Sequence, residues 1–196
     1  MKINRVVFFI VCISLVLGCR SQDFQLKQLD KSIVNRIMTH PTIVNYSKDV
    51  LNDTDFKIFV SDKLIRFNLV SLETAVIKSK YKSDYSPFMN LTTKDLRMIA
   101  HVRDSLSKAE KRLNEDFEQS SSTSIEMDSL GYYNYLLFLS NKVDGQIYAE
   151  LVPYNGEITK SIKYDEVAFG KVFTFLFNVN EKNIITEVLV DSVNFD

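Results

Sequence analysis

Residues 171–193 decide the fold. They read Lys171-Val172-Phe173-Thr174-Phe175-Leu176-Phe177-Asn178-Val179, then Asn180-Glu181-Lys182, then Asn183-Ile184-Ile185-Thr186-Glu187-Val188-Leu189-Val190-Asp191-Ser192-Val193. Phe173, Phe175, Phe177 and Val179 occupy every second position. Successive side chains of a strand point to opposite faces, so these four share one face and are expected in the core. Aromatic and β-branched residues suit a pleated, half-buried surface. The polar triplet between the two runs reads as a turn, which makes the stretch a hairpin. Glu187 and Asp191 are expected to mark the solvent face of its second strand.

The same pattern extends toward the N-terminus. Asp144-Gly145 separates Tyr133–Ser140 from Gln146–Pro153, and Asp-Gly between apolar runs is a strong hairpin signal. Tyr154–Val167 is a longer link between the two hairpins. Residues 131–196 are therefore read as mainly strand. Ahead of them, residues 119–130 begin with Gln119-Ser120-Ser121-Ser122-Thr123-Ser124 and form a polar connector.

Upstream of that connector the period changes. Leu96, Ile99, Val102, Leu106, Ala109, Leu113 and Phe117 step by three or four residues, which predicts an amphipathic helix backing the core. Thr92 with Asp95 resembles a capping box at its start. Between Phe56 and Ile77, Phe56, Ile58 and Val60 alternate, as do Ile65, Phe67 and Leu69, with Ser61-Asp62-Lys63 between them. This predicts a strand pair, followed by a short helix around Glu73–Lys78 and an exposed loop to Pro87. Leu26, Leu29, Ile33 and Ile37 predict a first helix that stops near His40, because Pro41 disfavours helical geometry in the residue before it. Pro41 can open a second helix. The predicted class is α+β: N-terminal helices (25–118 mainly helical) packed on a C-terminal antiparallel β-meander of four or more strands, as a single domain over 25–196.

The first nineteen residues have a different character. Lys2 and Arg5 precede Val6–Leu17, an apolar run broken only by Ser14, and Val16-Leu17-Gly18-Cys19 follows. The run is too short to span a bilayer, which takes about 20 residues. Charge, apolar run and small-residue exit are those of a secretory signal. The ending resembles the lipobox of bacterial lipoproteins. That resemblance implies cleavage before Cys19, lipidation of Cys19, a tether over 19–24, and a place in the bacterial cell envelope. Arg20 directly after the cysteine implies the outer membrane, since in that family Asp at this position favours inner-membrane retention. The membrane, reached through the lipid on Cys19, is then one partner.

Composition narrows the chemistry. Lys and Arg number 24 against 25 acids; loss of Lys2 and Arg5 with the signal would leave 22 against 25. This is no basic footprint, so a nucleic-acid partner is not expected. Cys12 would leave with the signal and Cys19 would carry lipid, so no thiol remains for catalysis, metal binding or a disulfide. The two histidines, His40 and His101, lack metal-pair spacing, and no zincin, P-loop or nucleophile-elbow motif is present. No cofactor or metal is implied. His40, before Pro41 at a helix junction, is expected to be a capping or solvent residue. His101 with Asp104 one turn on could act as an oriented general base.

One enrichment remains, the tyrosines of the strand half. Tyr133, Tyr135, Tyr148, Tyr154 and Tyr164 are the candidate binding surface, because tyrosine offers an apolar body with a polar tip. The leading expectation is a non-enzymatic envelope module that binds a protein or small-molecule partner. The alternatives are an envelope enzyme using carboxylates and His101, and an inhibitor or immunity-type lipoprotein acting by surface complementarity.

Overall fold

A computed structural model describes residues 29, 31–51, 57–81, 91–115, 117, 131–159, 162, 164, 167 and 170–194. The signal, Cys19, the tether and the 119–130 connector lie outside the described residues. The elements in order are α1 (Lys31–Met38), α2 (Pro41–Leu51), β1 (Ile58–Leu64), a 3-10 turn (Leu69–Leu72), α3 (Glu73–Tyr81), α4 (Thr93–Leu113), β2 (Gly131–Leu139), β3 (Gln146–Ile158), β4 (Lys171–Val179) and β5 (Ile185–Asn194). The class is α+β, with one five-stranded sheet in the order β1-β2-β3-β4-β5.

Strands β2 to β5 form the antiparallel meander, and β1 adds a parallel edge beside β2. The sheet is therefore mixed. The β2–β3 turn sits at Asp144-Gly145, both with positive φ (50° and 74°). Glycine takes that conformation at no steric cost. A Cβ added at Gly145 would also lie 2.9 Å from the Val179 carbonyl oxygen.

Helices cover both faces of the sheet. On one face, Ile33, Val34 and Ile37 of α1 and Ile43 of α2 pack with Tyr135, Leu137, Leu151, Phe173, Phe175 and Phe177. The phenylalanines predicted to share a face do so, and they form the floor of this layer. On the other face, Ile65, Phe67, Leu69, Leu72, Ala109 and Leu113 pack with Phe59, Leu136, Phe138, Tyr148, Val152 and Leu176. Tyr135 to Leu139 is consequently an unbroken buried run. A sheet covered on both faces has no solvent side to demand polar alternation.

Three local expectations are corrected. First, the described part of the 56–77 stretch, 57–77, holds one strand, not two. Ser61-Asp62-Lys63 is no turn: the β1–β2 ladder continues from Val60↔Leu137 to Leu64↔Leu139 across an irregularity, and Ile65 N donates to the Leu139 carbonyl. The buried Ser61 hydroxyl satisfies itself on the Ile162 carbonyl at 3.1 Å. Ile65, Phe67 and Leu69 then leave the sheet and fill the second layer. Second, α3 runs to Tyr81, past the expected end at Lys78. Third, Asp191 is not on a solvent face. The strand face carrying Glu187, Leu189 and Asp191 is the one α3 and the 3-10 turn approach. Asp191 Oδ2 accepts from Ala75 N, in the first turn of α3, at 2.8 Å. A carboxylate at a helix N-terminus meets the positive end of the helix dipole.

The long helix keeps the start read from sequence. Thr92 Oγ1 accepts from Asp95 N at 3.2 Å, and Asp95 Oδ2 accepts from Thr92 N at 2.9 Å. Four of its seven stripe residues, Ile99, Val102, Ala109 and Leu113, are buried. Leu96 is 53% exposed, because the N-terminal half of α4 packs on α3 through Ile77, Ile99 and Val102 and not on the sheet.

Candidate functional site

Two features of the second layer carry polar chemistry. The first is a carboxyl group inside the core. Glu150 on β3 is 2% exposed. Its neighbours across the sheet are Phe138 on β2 and Thr174 on β4. Written as a carboxylate, its Oε1 accepts from Tyr148 Oη and its Oε2 from Tyr164 Oη. Tyr148 Oη also lies 3.1 Å from Ser71 Oγ, and Ser71 Oγ donates to the Asn68 carbonyl at 2.6 Å. A short chain of polar groups thus runs from the link after β3, through the core, to the 3-10 turn. Burial pushes the Glu150 carboxyl up from its ordinary value, against the lowering effect of the two tyrosine hydrogen bonds. Burial, then the Glu150 charge beside them, pushes the Tyr148 and Tyr164 hydroxyls up as well.

The second feature is a cleft of about 200 Å³ between the C-terminal end of α4 and the β2–β3 turn. Phe67, Leu113, Phe117 and Val143 give it apolar walls; Arg112, Glu115, Asn141 and Asp144 give it polar ones. Its shape is fixed from two sides. Asn114, the C-cap of α4, holds the Phe67 backbone like a strand neighbour: Phe67 N donates to Asn114 Oδ1 at 2.9 Å, and Asn114 Nδ2 donates to the Phe67 carbonyl at 2.8 Å. Arg112 Nη2 lies 3.4 Å from Asp144 Oδ2, which ties the helix end to the turn. The Arg66 guanidinium sits 5.3 Å from the Phe117 ring centroid, within cation–π range.

The predicted tyrosines do not make one surface. Tyr135 is fully buried in the α1–α2 layer, where burial raises its hydroxyl to about 12. Tyr133 and Tyr148 are buried in the opposite layer. Tyr133 meets the Phe59 ring edge-on at 5.2 Å. Tyr154 and Tyr164 are half-buried at the margin of that layer. The structure therefore brings Tyr148 and Tyr164 together on Glu150 and keeps Tyr135 on the far side of the sheet. An irregularity in the strand explains the split: pleating alone would put Tyr133 and Tyr135 on one face, but the β2–β3 register shifts between them.

His101 and Asp104 do not assemble a dyad. His101 is exposed on α4, and Asp104 Oδ2 bonds Lys108 Nζ at 2.8 Å. His40 caps α2: its Nδ1 accepts from Thr42 N at 3.2 Å, and its ring meets Phe177 edge-on at 5.9 Å. Among the described residues no group of three or more His, Cys, Asp or Glu could hold a metal ion.

Sequence reasoning missed both Glu150 and the cleft. Glu150 lay in an apolar strand, and that setting was the available signal of burial. The cleft residues each had a local explanation, as turn, helix end or dipole partner, and only long-range packing makes them neighbours. No protein-family model, curated protein or solved structure matches this chain.

Proposed function

We propose that this chain is a lipid-anchored protein of the bacterial cell envelope whose α+β domain binds a small molecule in the cleft at the end of α4. The anchor rests on Lys2, Arg5, the Val6–Leu17 run and Gly18-Cys19, and Arg20 supports the outer membrane as its location. Among the described residues no helix is long and apolar enough to cross a membrane. Acyl chains on Cys19 would supply the anchoring, each buried CH₂ contributing about 0.8 kcal/mol.

The observation that carries the binding reading is the cleft. Apolar walls with a few convergent polar groups are the ordinary make-up of a ligand site. At about 200 Å³ it admits one compact molecule. Arg112 offers donors to an anionic group, and Asp144 and Glu115 offer acceptors to a cationic one. The matching ligand is a small zwitterion with an apolar side group.

Both parts are tested on one sample. Mass spectrometry of the mature N-terminus should find cleavage before a lipid-modified Cys19; an unmodified Cys19 sinks the anchor. Titration with leucine and phenylalanine, followed by NMR, should shift the amides of Asn141, Asp144 and Phe117. N-acetyl and ester forms should bind more weakly, as should the free amino acids to Arg112→Ala. Absence of shifts at millimolar ligand refutes this ligand class.

A further inference from the structure

We infer that Glu150 keeps its proton at neutral pH and heads a one-way chain of hydrogen bonds, Glu150 to Tyr148 to Ser71 to the Asn68 carbonyl, so that losing this proton is felt at the 3-10 turn. Four contacts must each hold one proton: Ser71–Asn68, Ser71–Tyr148, Tyr148–Glu150 and Tyr164–Glu150. Ser71, Tyr148 and Tyr164 bring one hydroxyl proton each. With Glu150 ionised there are three protons for four contacts. If both tyrosines serve the carboxylate, Ser71 must leave either the Asn68 carbonyl or Tyr148, and one contact becomes two facing acceptors. A protonated Glu150 supplies the fourth proton. Tyr164 then donates to Oε2, Glu150 donates from Oε1 to Tyr148, Tyr148 to Ser71, and Ser71 to Asn68. Every contact is filled and the direction is unique along the chain.

The surroundings favour the neutral acid. Among the described residues, the groups facing Glu150 are Tyr148 from its own strand, Phe138 from β2, Thr174 from β4 and Tyr164 from the link, with Ser71 of the 3-10 turn one bond further. Asp191 of β5 lies beyond Thr174 with its carboxylate turned to α3. Glu110 of α4 is engaged with Val70 N at 3.3 Å. No cation among these groups offsets a buried charge, which is otherwise a large cost. Burial pushes the carboxyl up in the same sense.

Deprotonation moves one proton off Glu150 to solvent and reverses the Tyr148 hydroxyl toward the carboxylate. The loss then falls on Ser71, in a turn whose Val70 is held by α4. The structure thus contains a pH-sensitive connection between the middle of the sheet and the α4 layer. It stands independently of what the cleft binds.

The test is an NMR titration of the full chain, with the side-chain carboxyl carbon of Glu150 assigned through Glu150→Gln. The expected result is a neutral carboxyl at neutral pH that titrates on the alkaline side, with the Ser71 and Leu72 amides shifting at the same midpoint. In Tyr148→Phe the turn amides should stop following the carboxyl. Ser71→Ala makes the same cut should Tyr148→Phe fail to fold. A Glu150 carboxyl that is ionised at neutral pH overturns the proposal. So does a turn that ignores its titration in the native chain, or that still follows it in both cut variants.

Discussion

At the scale of single residues, two buried or half-buried groups oppose each other in pH. Burial lowers the imidazole of His40 below its ordinary 6.5. The folded state therefore binds fewer protons there than the unfolded chain, and stability rises with pH across that window. The contribution is present above pH 6.5 and is lost as pH falls toward the folded value. The geometry agrees, since a protonated Nδ1 can no longer accept from Thr42 N. Glu150 has the reverse sign. Its raised carboxyl favours the neutral form in the fold, so its contribution is present below the ordinary 4.5 and is lost as pH rises through the folded value. Urea unfolding across pH should show the two arms separately. His40→Asn keeps an acceptor for the cap and should flatten the acid arm. Glu150→Gln should flatten the arm on the alkaline side. Identical pH profiles for native chain and variants would contradict both assignments.

At the scale of elements, α4 separates what a local pattern can say from what it cannot. Its start is specified within four residues by Thr92 and Asp95, and both reciprocal bonds form. Thr92→Ala should lower stability by about 1 kcal/mol, the usual worth of an N-cap hydroxyl. On the same helix Ile99→Ala should cost about 2–5 kcal/mol, while Leu96→Glu should stay within about 0.5 kcal/mol because Leu96 faces water. Denaturant midpoints of the three variants check that ranking, and a large loss from Leu96→Glu would show that its exposure is wrongly assigned. The stripe read from sequence made these residues equivalent. Periodicity reports one helix face, but not which neighbour covers each turn of it. The strands and turn of the 171–193 hairpin were legible, since its alternation and turn are contained in it, whereas the partner of Asp191 on α3 was not. Strand β1 was legible as a strand from Ile58 and Val60, but its pairing was not, because its partner lies far along the chain: Lys57 N donates to Asn134 Oδ1 across 77 residues. The partners of the buried carboxyl were illegible for the same reason, as Tyr164 reaches it from the link after β3 and Ser71 is joined to it only through Tyr148.

At the scale of the whole molecule, the parallel edge made by β1 governs the order of assembly. Strands β2 to β5 are joined in sequence and can zip from hairpin to hairpin. Closing a long loop costs more entropy than closing a short one, and non-local pairing slows folding. Pulse-labelled hydrogen exchange during refolding should therefore protect the amides of β4 and β5 before those of β1; simultaneous protection would rule this order out. A ribosome, however, delivers the chain in the opposite order. The helices of both layers and β1 emerge before any residue of the meander they pack against. Ile33, Phe59 and Phe67 then wait with their apolar surface uncovered until residue 131 and its successors are made. The nascent N-terminal half is the stage of this protein's life most exposed to aggregation, and the stage at which a chaperone would matter most.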